Sequence, residues 1–376
     1  MNSRFTLYGL GSPVRITAAV VITLLIVLTT ACGSGNENGA ASDNGQKQAE
    51  ESRNNNAAQG SAEQKNEDAS DEADEPKLQV ITSFYPLQYM VEEIGGERVE
   101  ARSLVAAGVE PHDWTPKSRD LQATSNAALF LYHGAGLEGW VDDFLGGLSK
   151  GSSVVAKEMS QGISLITGEG VHVHGEHDED GHQDDEHEHG ENKADEQGNS
   201  HSSDIDPHTW VSPKSALILA NNVKDSLIEA DESHAEYYQE NYEALRAKLE
   251  ELDKRYSEEL GTLKQKNIVV SHQAFGYLAR DYGLTQESIM GLNPGAEPRA
   301  QDILAIAKFV KEHGVQYIFF EELVSDDLAN MLAREAKVDT MVLNPLEGLT
   351  KEQEKNGETY LTLMERNLQN LILALQ

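Results

Sequence analysis

The chain has 376 residues, 39% of them hydrophobic, and a formal net charge of −34 at pH 7. This length and apolar content suffice for two globular domains, whereas so strong an acidic excess argues against nucleic acid as a partner. The charge is uneven, because segments 33–76 and 169–206 together carry 21 of the 34 excess negative charges. The rest of the chain is only mildly acidic.

The N-terminal 31 residues have the features of a secretory signal peptide. Arg4 and Arg15 precede an apolar run over 18–28, and small residues follow it. The run is short for a membrane span. Cys32, the only cysteine of the chain, comes directly afterwards. An internal disulfide is therefore excluded. A lone cysteine at this place resembles a bacterial lipobox, which implies a lipid anchor at Cys32; the alternative is a plain secretory signal with an incidental cysteine.

Residues 32–76 are expected to form a tether. They are rich in Asn, Gly, Ser, Ala, Gln and Glu and contain almost no apolar side chains. Such a composition cannot bury enough surface to offset the entropy of ordering. A lipid anchor followed by a tether predicts a protein held at the outer face of a bacterial cell membrane.

Strand-like and helix-like segments alternate over residues 77–232, which predicts an α/β lobe. His112 lies between Pro111 and Pro116, after a predicted strand at 99–105. Two prolines so close together exclude a helix. His112 is therefore expected in a stiff loop at the carboxyl edge of a sheet, where ligands bind in open α/β folds. His133 also follows a predicted strand, but we interpret it as structural.

Segment 169–204 interrupts this lobe with a histidine-rich acidic stretch. It holds seven of the thirteen histidines, among Asp, Glu, Gly and Gln. The histidines are His172, His174, His177, His182, His187 and His189, followed by His201. Imidazole and carboxylate groups suit zinc and related divalent ions. Weak, flexible metal binding is predicted here, because a site of fixed geometry needs ordered ligands.

A second loop histidine, His208, lies between Pro207 and Pro213, beside Trp210. It precedes a predicted helix at 214–229. It could act as a metal ligand or merely cap that helix.

The stretch from Ser233 to Leu260 predicts one long helix within a linking segment, 233–263. Apolar residues recur in steps of three and four, and Gly and Pro are absent. Ser233 with Glu236 forms a predicted capping box, and Gly261 a stop. We interpret this helix as a rigid spine joining two lobes; an exposed coiled coil is the alternative.

The second predicted α/β lobe covers 264–376. His272 directly follows a predicted strand at 267–270, and Ser271 is expected to cap the next helix. Two acidic residues, Glu322 and Glu347, also lie where predicted strands end. The last predicted helix runs from 351 to 375.

These residues predict a metal site in the cleft between the two doubly wound lobes. Three loop histidines and one carboxylate would complete a tetrahedral zinc shell. The histidines are His112, His208 and His272, and the carboxylate is Glu322 or Glu347.

The chain resembles the metal-specific solute-binding proteins of bacterial ABC importers, in their zinc branch. Four stretches carry the resemblance: Gly108 to His112, Asp206 to Trp210, Ser271 to Tyr277, and Asn344 to Glu347. It covers about residues 77–376.

The resemblance implies Zn²⁺ ligands at His112, His208, His272 and Glu347, with Glu347 the member most prone to replacement by Glu322 or water. Glu110 could also turn toward the metal. The resemblance further implies two lobes joined by one long helix, a monomer, and an ABC transporter permease as partner. Related manganese binders have a carboxylate at the position of His272, which favours zinc here.

Three other functions are compatible with parts of this pattern. A manganese-binding counterpart and a zinc-binding adhesin or store share the predicted site. A zinc hydrolase needs an open metal position and a base, and the chain has no His-Glu-x-x-His motif. We therefore predict a binding protein and not an enzyme.

Overall fold

A computed structural model describes residues 76–167, 205–295 and 298–376. The predicted signal peptide, the tether with Cys32, and the histidine-rich segment up to residue 204 lie outside these residues. Within the described ranges, no helix has the length and apolar character needed to cross a bilayer.

The first lobe contains a parallel sheet covered by helices. Its strands are β1 Leu78–Thr82, β2 Val99–Ser103, β3 Leu129–Tyr132 and β4 Val155–Glu158, and its helices are α1 Tyr85–Gly95, α2 Ser118–Ser125, α3 Val141–Gly146 and α4 Pro213–Ala230. The strand order is β2-β1-β3-β4. The middle strands, β1 and β3, are the most buried, as expected for strands with covered faces.

A short antiparallel ribbon joins the two ends of the segment between residues 167 and 205. It consists of β5 Ile166–Thr167 and β6 Ile205–Asp206, and Thr167 pairs with Ile205. Nothing in the sequence predicted it. The ribbon places Asp206 at its end, two residues before His208.

The predicted long helix is present as α5, Ala235–Gly261. Its apolar stripe is buried as expected: Tyr238, Tyr242, Leu245, Leu249, Leu252, Tyr256 and Leu260. The predicted capping box is wrong. A 3₁₀ turn, Glu232–His234, precedes the helix, and the Ser233 hydroxyl donates to Asp231 at 2.6 Å instead of capping.

The second lobe repeats the architecture of the first. Its strands are β7 Asn267–Val270, β8 Thr285–Ser288, β9 Tyr317–Phe320 and β10 Asp339–Val342, and its helices are α6 Gly276–Tyr282, α7 Ala300–His313, α8 Asp327–Ala336, α9 Lys351–Lys355 and α10 Tyr360–Leu375. The parallel order is β10-β9-β7-β8. In both sheets the first and third strands of the lobe are therefore neighbours, and the strand order reverses between them. In open α/β sheets, ligands bind at such a reversal, outside the carboxyl ends of the strands.

Helix α5 packs against α1 and α4 of the first lobe and against α6 and α10 of the second. Within the core, the Tyr256 hydroxyl of α5 donates to the carbonyl of Met364 at 2.7 Å. One hydrophobic cluster includes buried side chains of both lobes, from Val80 to Leu375. The predicted fold class, two α/β lobes joined by one long helix, is confirmed. The lobe boundaries 77–232, 233–263 and 264–376 stay a prediction.

Two local predictions in the second lobe are wrong. The chain from 351 to 375 forms two helices, because Gly357 takes a positive φ of 69° and Thr359 caps α10 by accepting from the Thr362 amide. Ser271 does not cap α6, whose N-cap is Phe275. The Ser271 hydroxyl donates instead to Glu321.

Candidate metal centre

Four side chains that the sequence singled out converge on one point between the lobes. His112, His208, His272 and Glu347 each offer one ligand atom, and these atoms all lie within 4.8 Å of one another. His112 comes from the loop after β2 and His208 from the turn after β6. His272 follows β7 and Glu347 follows β10. The carboxyl edges of both sheets therefore face the same small volume.

The spacing within this cluster suits a tetrahedral ion. The Nε2 atom of His208 lies 3.1 Å from that of His112 and 3.3 Å from that of His272. Oε1 of Glu347 lies 3.4, 3.2 and 3.3 Å from the Nε2 atoms of His112, His208 and His272. A tetrahedron with zinc–ligand bonds of about 2.0–2.1 Å has edges of about 3.3 Å. The residues present therefore fit Zn²⁺.

Two buried carboxylates fix how the cluster's histidines face. Nδ1 of His208 lies 2.8 Å from Asp206, and Nδ1 of His272 lies 2.6 Å from Glu321. A carboxylate only accepts hydrogen bonds, so each Nδ1 carries the hydrogen and each Nε2 of a neutral ring carries the lone pair. Both lone pairs then point into the cluster, where they repel one another unless a cation lies between them.

Glu347 is a second indication that the cluster suits a cation. The residue is 1% exposed, and neither carboxylate oxygen has a hydrogen-bond donor. A buried carboxylate without donors is strongly disfavoured unless a cation or a proton compensates it. The three ring nitrogens around Oε1 could share such a cation with it.

The electrostatics of the cluster agree with this arrangement. Burial opposes charge on His272, but the negative charge and hydrogen bond of Glu321 outweigh it and raise the pKa to about 10. Burial likewise opposes charge on His208, yet its contacts with Asp206 and Glu347 raise the pKa. Burial alone would raise the pKa of Glu347, but the three imidazoles hold it well below its usual range. The carboxylates around these rings therefore favour a positive charge within the cluster.

The loop that carries Glu347 is held by side-chain hydrogen bonds. Asn344 accepts from the Leu346 amide at 2.7 Å, and Asn367 donates to the Asn344 carbonyl at 2.6 Å. Leu346 adopts a φ of +60°, a left-handed conformation that a non-glycine residue takes only when its surroundings enforce it, at about 1–3 kcal/mol. These contacts hold Glu347 against the histidines.

The turn that carries His208 is fixed by contacts with the second lobe. Tyr277 of α6 donates to the Asp206 carbonyl at 2.6 Å, and Trp210 donates to the Pro345 carbonyl at 2.7 Å. At Gly276 a Cβ would lie 2.5 Å from the Asp206 carboxylate. Glycine at this position therefore lets Asp206 approach α6 closely enough to hold His208.

The rival acid, Glu322, lies apart from the cluster. It accepts from Asn344 at 2.8 Å and from Gln353 at 2.6 Å, so it braces the Glu347 loop. Glu110 lies beside the cluster and accepts from the His112 amide at 3.0 Å. Burial, followed by the charge of Glu347, raises the pKa of Glu110 to about 8. The neutral form of its carboxyl is therefore favoured beside Glu347.

His133 lies near the cluster but does not belong to it. It is fully buried, and its Nε2 donates to the Pro207 carbonyl at 2.8 Å, which agrees with the structural interpretation. The histidine-rich segment and Cys32 lie outside the described residues, so their predicted roles stay predictions.

Sequence reasoning missed two of the residues that shape the centre, Asp206 and Glu321. Asp206 stands two residues before His208, a spacing at which a side chain can turn back onto the same loop, and this signal was available. Glu321 is 49 residues from His272 and gave no local signal. Only the pairing of β7 with β9 brings the two together.

Comparison with known proteins identifies relatives of the chain. Residues 80–374 match the profile of ZnuA, the periplasmic component A of a zinc-uptake complex. The chain is 38% identical over 298 residues to the zinc-binding lipoprotein AdcA of Streptococcus pneumoniae, covering 78% of this chain and 55% of that one. It is 36% identical over 312 residues to the high-affinity zinc uptake system protein ZnuA of Bacillus subtilis, covering 83% and 89%.

A solved structure shows the same fold. The Zn(II)-bound ZnuA-like domain of S. pneumoniae AdcA superposes with a TM-score of 0.64 at 35% identity, covering 80% of this chain and 99% of that domain. The chain spans about half the length of the AdcA proteins it matches. The names of these relatives describe zinc binding and zinc uptake, in agreement with the prediction of a binding protein.

Proposed function

Because the chain belongs to the ZnuA family of zinc-uptake components, we propose that it captures Zn²⁺ outside the cytoplasm and delivers it to an ABC transporter permease. Zinc is then its cargo. His112, His208, His272 and Glu347 are the four ligands in this proposal. In this proposal the chain is a monomer, and a lipid anchor at Cys32 holds it at the outer face of the cell membrane.

The observation that carries the proposal is the tetrahedral spacing of the four ligand atoms. The distances from Glu347 Oε1 to the three Nε2 atoms, 3.2–3.4 Å, match the edges of a zinc tetrahedron. Four protein ligands close the zinc shell, whereas a catalytic zinc keeps one position for water. A closed shell of three neutral imidazoles and one carboxylate supports binding and transfer of the ion.

The preference for zinc over manganese follows from the ligand types. Three imidazole nitrogens are borderline ligands that suit zinc, while manganese favours oxygen-rich sites of higher coordination number. Glu347 supplies a single carboxylate to the cluster. We therefore expect zinc to exclude manganese when both are present at equal concentration.

The first experiment measures zinc binding. The chain without its signal peptide is titrated with zinc against a chromophoric chelator, with manganese as competitor, next to His272→Ala and a matched control, His313→Ala. His313 lies at the end of α7, and its Nδ1 faces the Phe309 carbonyl at 3.0 Å. Loss of a buried ligand should weaken the tightest site at least about 100-fold, and the control should stay within about threefold.

Equal losses of zinc affinity in His272→Ala and His313→Ala would contradict the ligand assignment. A structure of the zinc-loaded chain should place a carboxylate oxygen of Glu347 within about 2.2 Å of the ion. Water or Glu322 at that position would overturn the role of Glu347.

Delivery to a permease needs a cellular measurement. Uptake of radioactive zinc is followed in cells whose only source of this protein is the wild-type chain or His272→Ala. We expect uptake at scarce zinc with the wild type and its loss with the variant. Equal uptake in both would refute delivery and favour a surface store or adhesin.

A further inference from the structure

Glu321 stands directly behind His272, on the side away from the cluster. Its Oε1 lies 2.6 Å from Nδ1 of His272 and also accepts from the Ser271 hydroxyl. Glu321 is 3% exposed, and His272 is fully buried. Water therefore cannot replace the carboxylate as the partner of Nδ1.

The sheet explains why this contact forms. Strands β7 and β9 are neighbours, with Val270 paired to Phe319, so the residues that follow them leave the sheet side by side. His272 and Glu321 are those residues. The contact thus lies at the reversal of strand order in the second lobe, on rigid elements rather than on a free loop.

The three histidines of the cluster differ in this support. His208 and His272 each have a carboxylate on Nδ1. Asp206 is only two residues from His208 and belongs to the same turn. Glu321 reaches His272 from a separate strand, so the carboxylate can be replaced without a substitution in the loop that carries the ligand.

We propose that Glu321 is a positioning residue that fixes the tautomer of His272 and thereby favours zinc over manganese. A carboxylate behind an imidazole keeps the hydrogen on Nδ1, leaves the Nε2 lone pair for the metal and makes the ring a stronger donor. A stronger nitrogen donor benefits zinc more than manganese, which depends more on oxygen ligands. This inference rests on the proposed zinc-binding function.

The test compares Glu321→Gln with a matched control, Glu287→Gln. Glu287 is a half-buried carboxylate on β8 of the same sheet and takes no part in the cluster. Zinc and manganese affinities are measured for both variants and the wild type. In Glu321→Gln zinc affinity should fall about 10–100-fold, and manganese affinity should fall less, so the preference for zinc shrinks. The control should keep both affinities.

A double variant shows whether Glu321 acts through His272. In a His272→Ala background, Glu321→Gln should cause no further loss of zinc affinity, because the imidazole it orients is gone. An unchanged zinc affinity in Glu321→Gln, an equal fall for both metals, or a full additional loss in the double variant would each overturn the proposal.

A measurement on the wild type covers the case in which Glu321→Gln does not fold. Nitrogen NMR of the zinc-loaded chain should show the His272 ring protonated at Nδ1 and metal-bound at Nε2. The reverse assignment would refute the role of Glu321. A wild type that fails to bind zinc would refute the proposed function itself, and this result is distinct from every outcome above.

Discussion

His133 is a titratable group kept neutral inside the first lobe. It is fully buried beside the His208 turn, with its Nε2 on the Pro207 carbonyl at 2.8 Å. Its amide donates to Glu138 at 2.8 Å. Burial lowers the pKa of His133 from 6.5 to about 3, although the bond to Pro207 opposes this.

This low pKa predicts an acid-sensitive fold. Between the unfolded pKa of 6.5 and the folded pKa of about 3, the unfolded chain binds a proton at His133 and the folded chain does not. Stability therefore falls as pH drops through this window, by about 2 kcal/mol between about pH 8 and about pH 5. His133→Gln cannot take up that proton. Its stability relative to the wild type should therefore rise by this amount as the pH falls over the same range.

Denaturant titrations of the metal-free wild type and His133→Gln at both pH values test this. The comparison removes the contributions of other groups. Among them, His208 and His272 have raised pKa values, so their contribution is fully present below pH 6.5 and is lost as pH rises through the folded values. A stability difference between wild type and variant that is independent of pH would contradict the prediction.

At the level of single residues, the sequence revealed the candidate ligands but not the carboxylates that orient them. Flanking prolines and strand ends marked His112, His208 and His272. Glu321 and Glu322 are adjacent and chemically alike, yet one faces His272 and the other faces Asn344. Successive residues of an extended chain point to opposite sides, and which side holds the metal depends on tertiary packing.

Helix α5 owes its stability to burial, as its composition shows. Polar residues dominate it, and a single stripe of Tyr and Leu is buried. Leu252 on this stripe is 3% exposed and belongs to the hydrophobic cluster that includes residues of both lobes. Most helical stability in such a case comes from tertiary packing.

Leu252→Ala should therefore destabilise the whole fold by about 2–5 kcal/mol, since it removes buried methyl groups and leaves a cavity. Glu251→Ala, one residue earlier and exposed, should change stability by less than about 0.5 kcal/mol. Denaturant unfolding followed by circular dichroism measures both. A small loss of stability in Leu252→Ala would mean that the core does not depend on α5.

The elements that the sequence predicted best are long and strongly periodic. The stripe of α5 extends over seven buried side chains, so its register could hardly be mistaken. The predicted start of the helix was wrong, because the Ser233 hydroxyl donates to Asp231 and does not cap the helix. The β5–β6 ribbon has two residues per strand and pairs positions far apart in the chain, which no local pattern reveals.

At the scale of the whole molecule, the β5–β6 ribbon allows the histidine-rich segment to be deleted without altering the strands on either side. Thr167 and Ile205 are paired in antiparallel strands, and removal of 171–203 would leave residues 168–170 and 204 between them. A four-residue connection is a common hairpin length. The deletion should therefore preserve the fold and the four-residue cluster while it removes the predicted weak zinc ligands.

We expect this deletion to lower the number of zinc ions bound without changing the tightest dissociation constant. Each histidine of the segment should bind metal only when its imidazole is neutral. Equilibrium dialysis gives the number of ions, and chelator competition gives the affinity. A tenfold weaker tightest site, about 1.4 kcal/mol, would mean that the segment supplies a ligand or covers the site.

The hydrophobic cluster that α5 shares with both lobes also restricts how the molecule can change shape. Swinging one lobe away from the other would expose part of this cluster. Exposing about 200 Å² of apolar surface costs about 5 kcal/mol, as much as the entire stability of many proteins. The loaded and empty forms should therefore have nearly the same outline and radius of gyration. If the chain delivers zinc to a permease as proposed, that transporter should distinguish the two forms by direct contact with the loops around the ion and not by lobe closure.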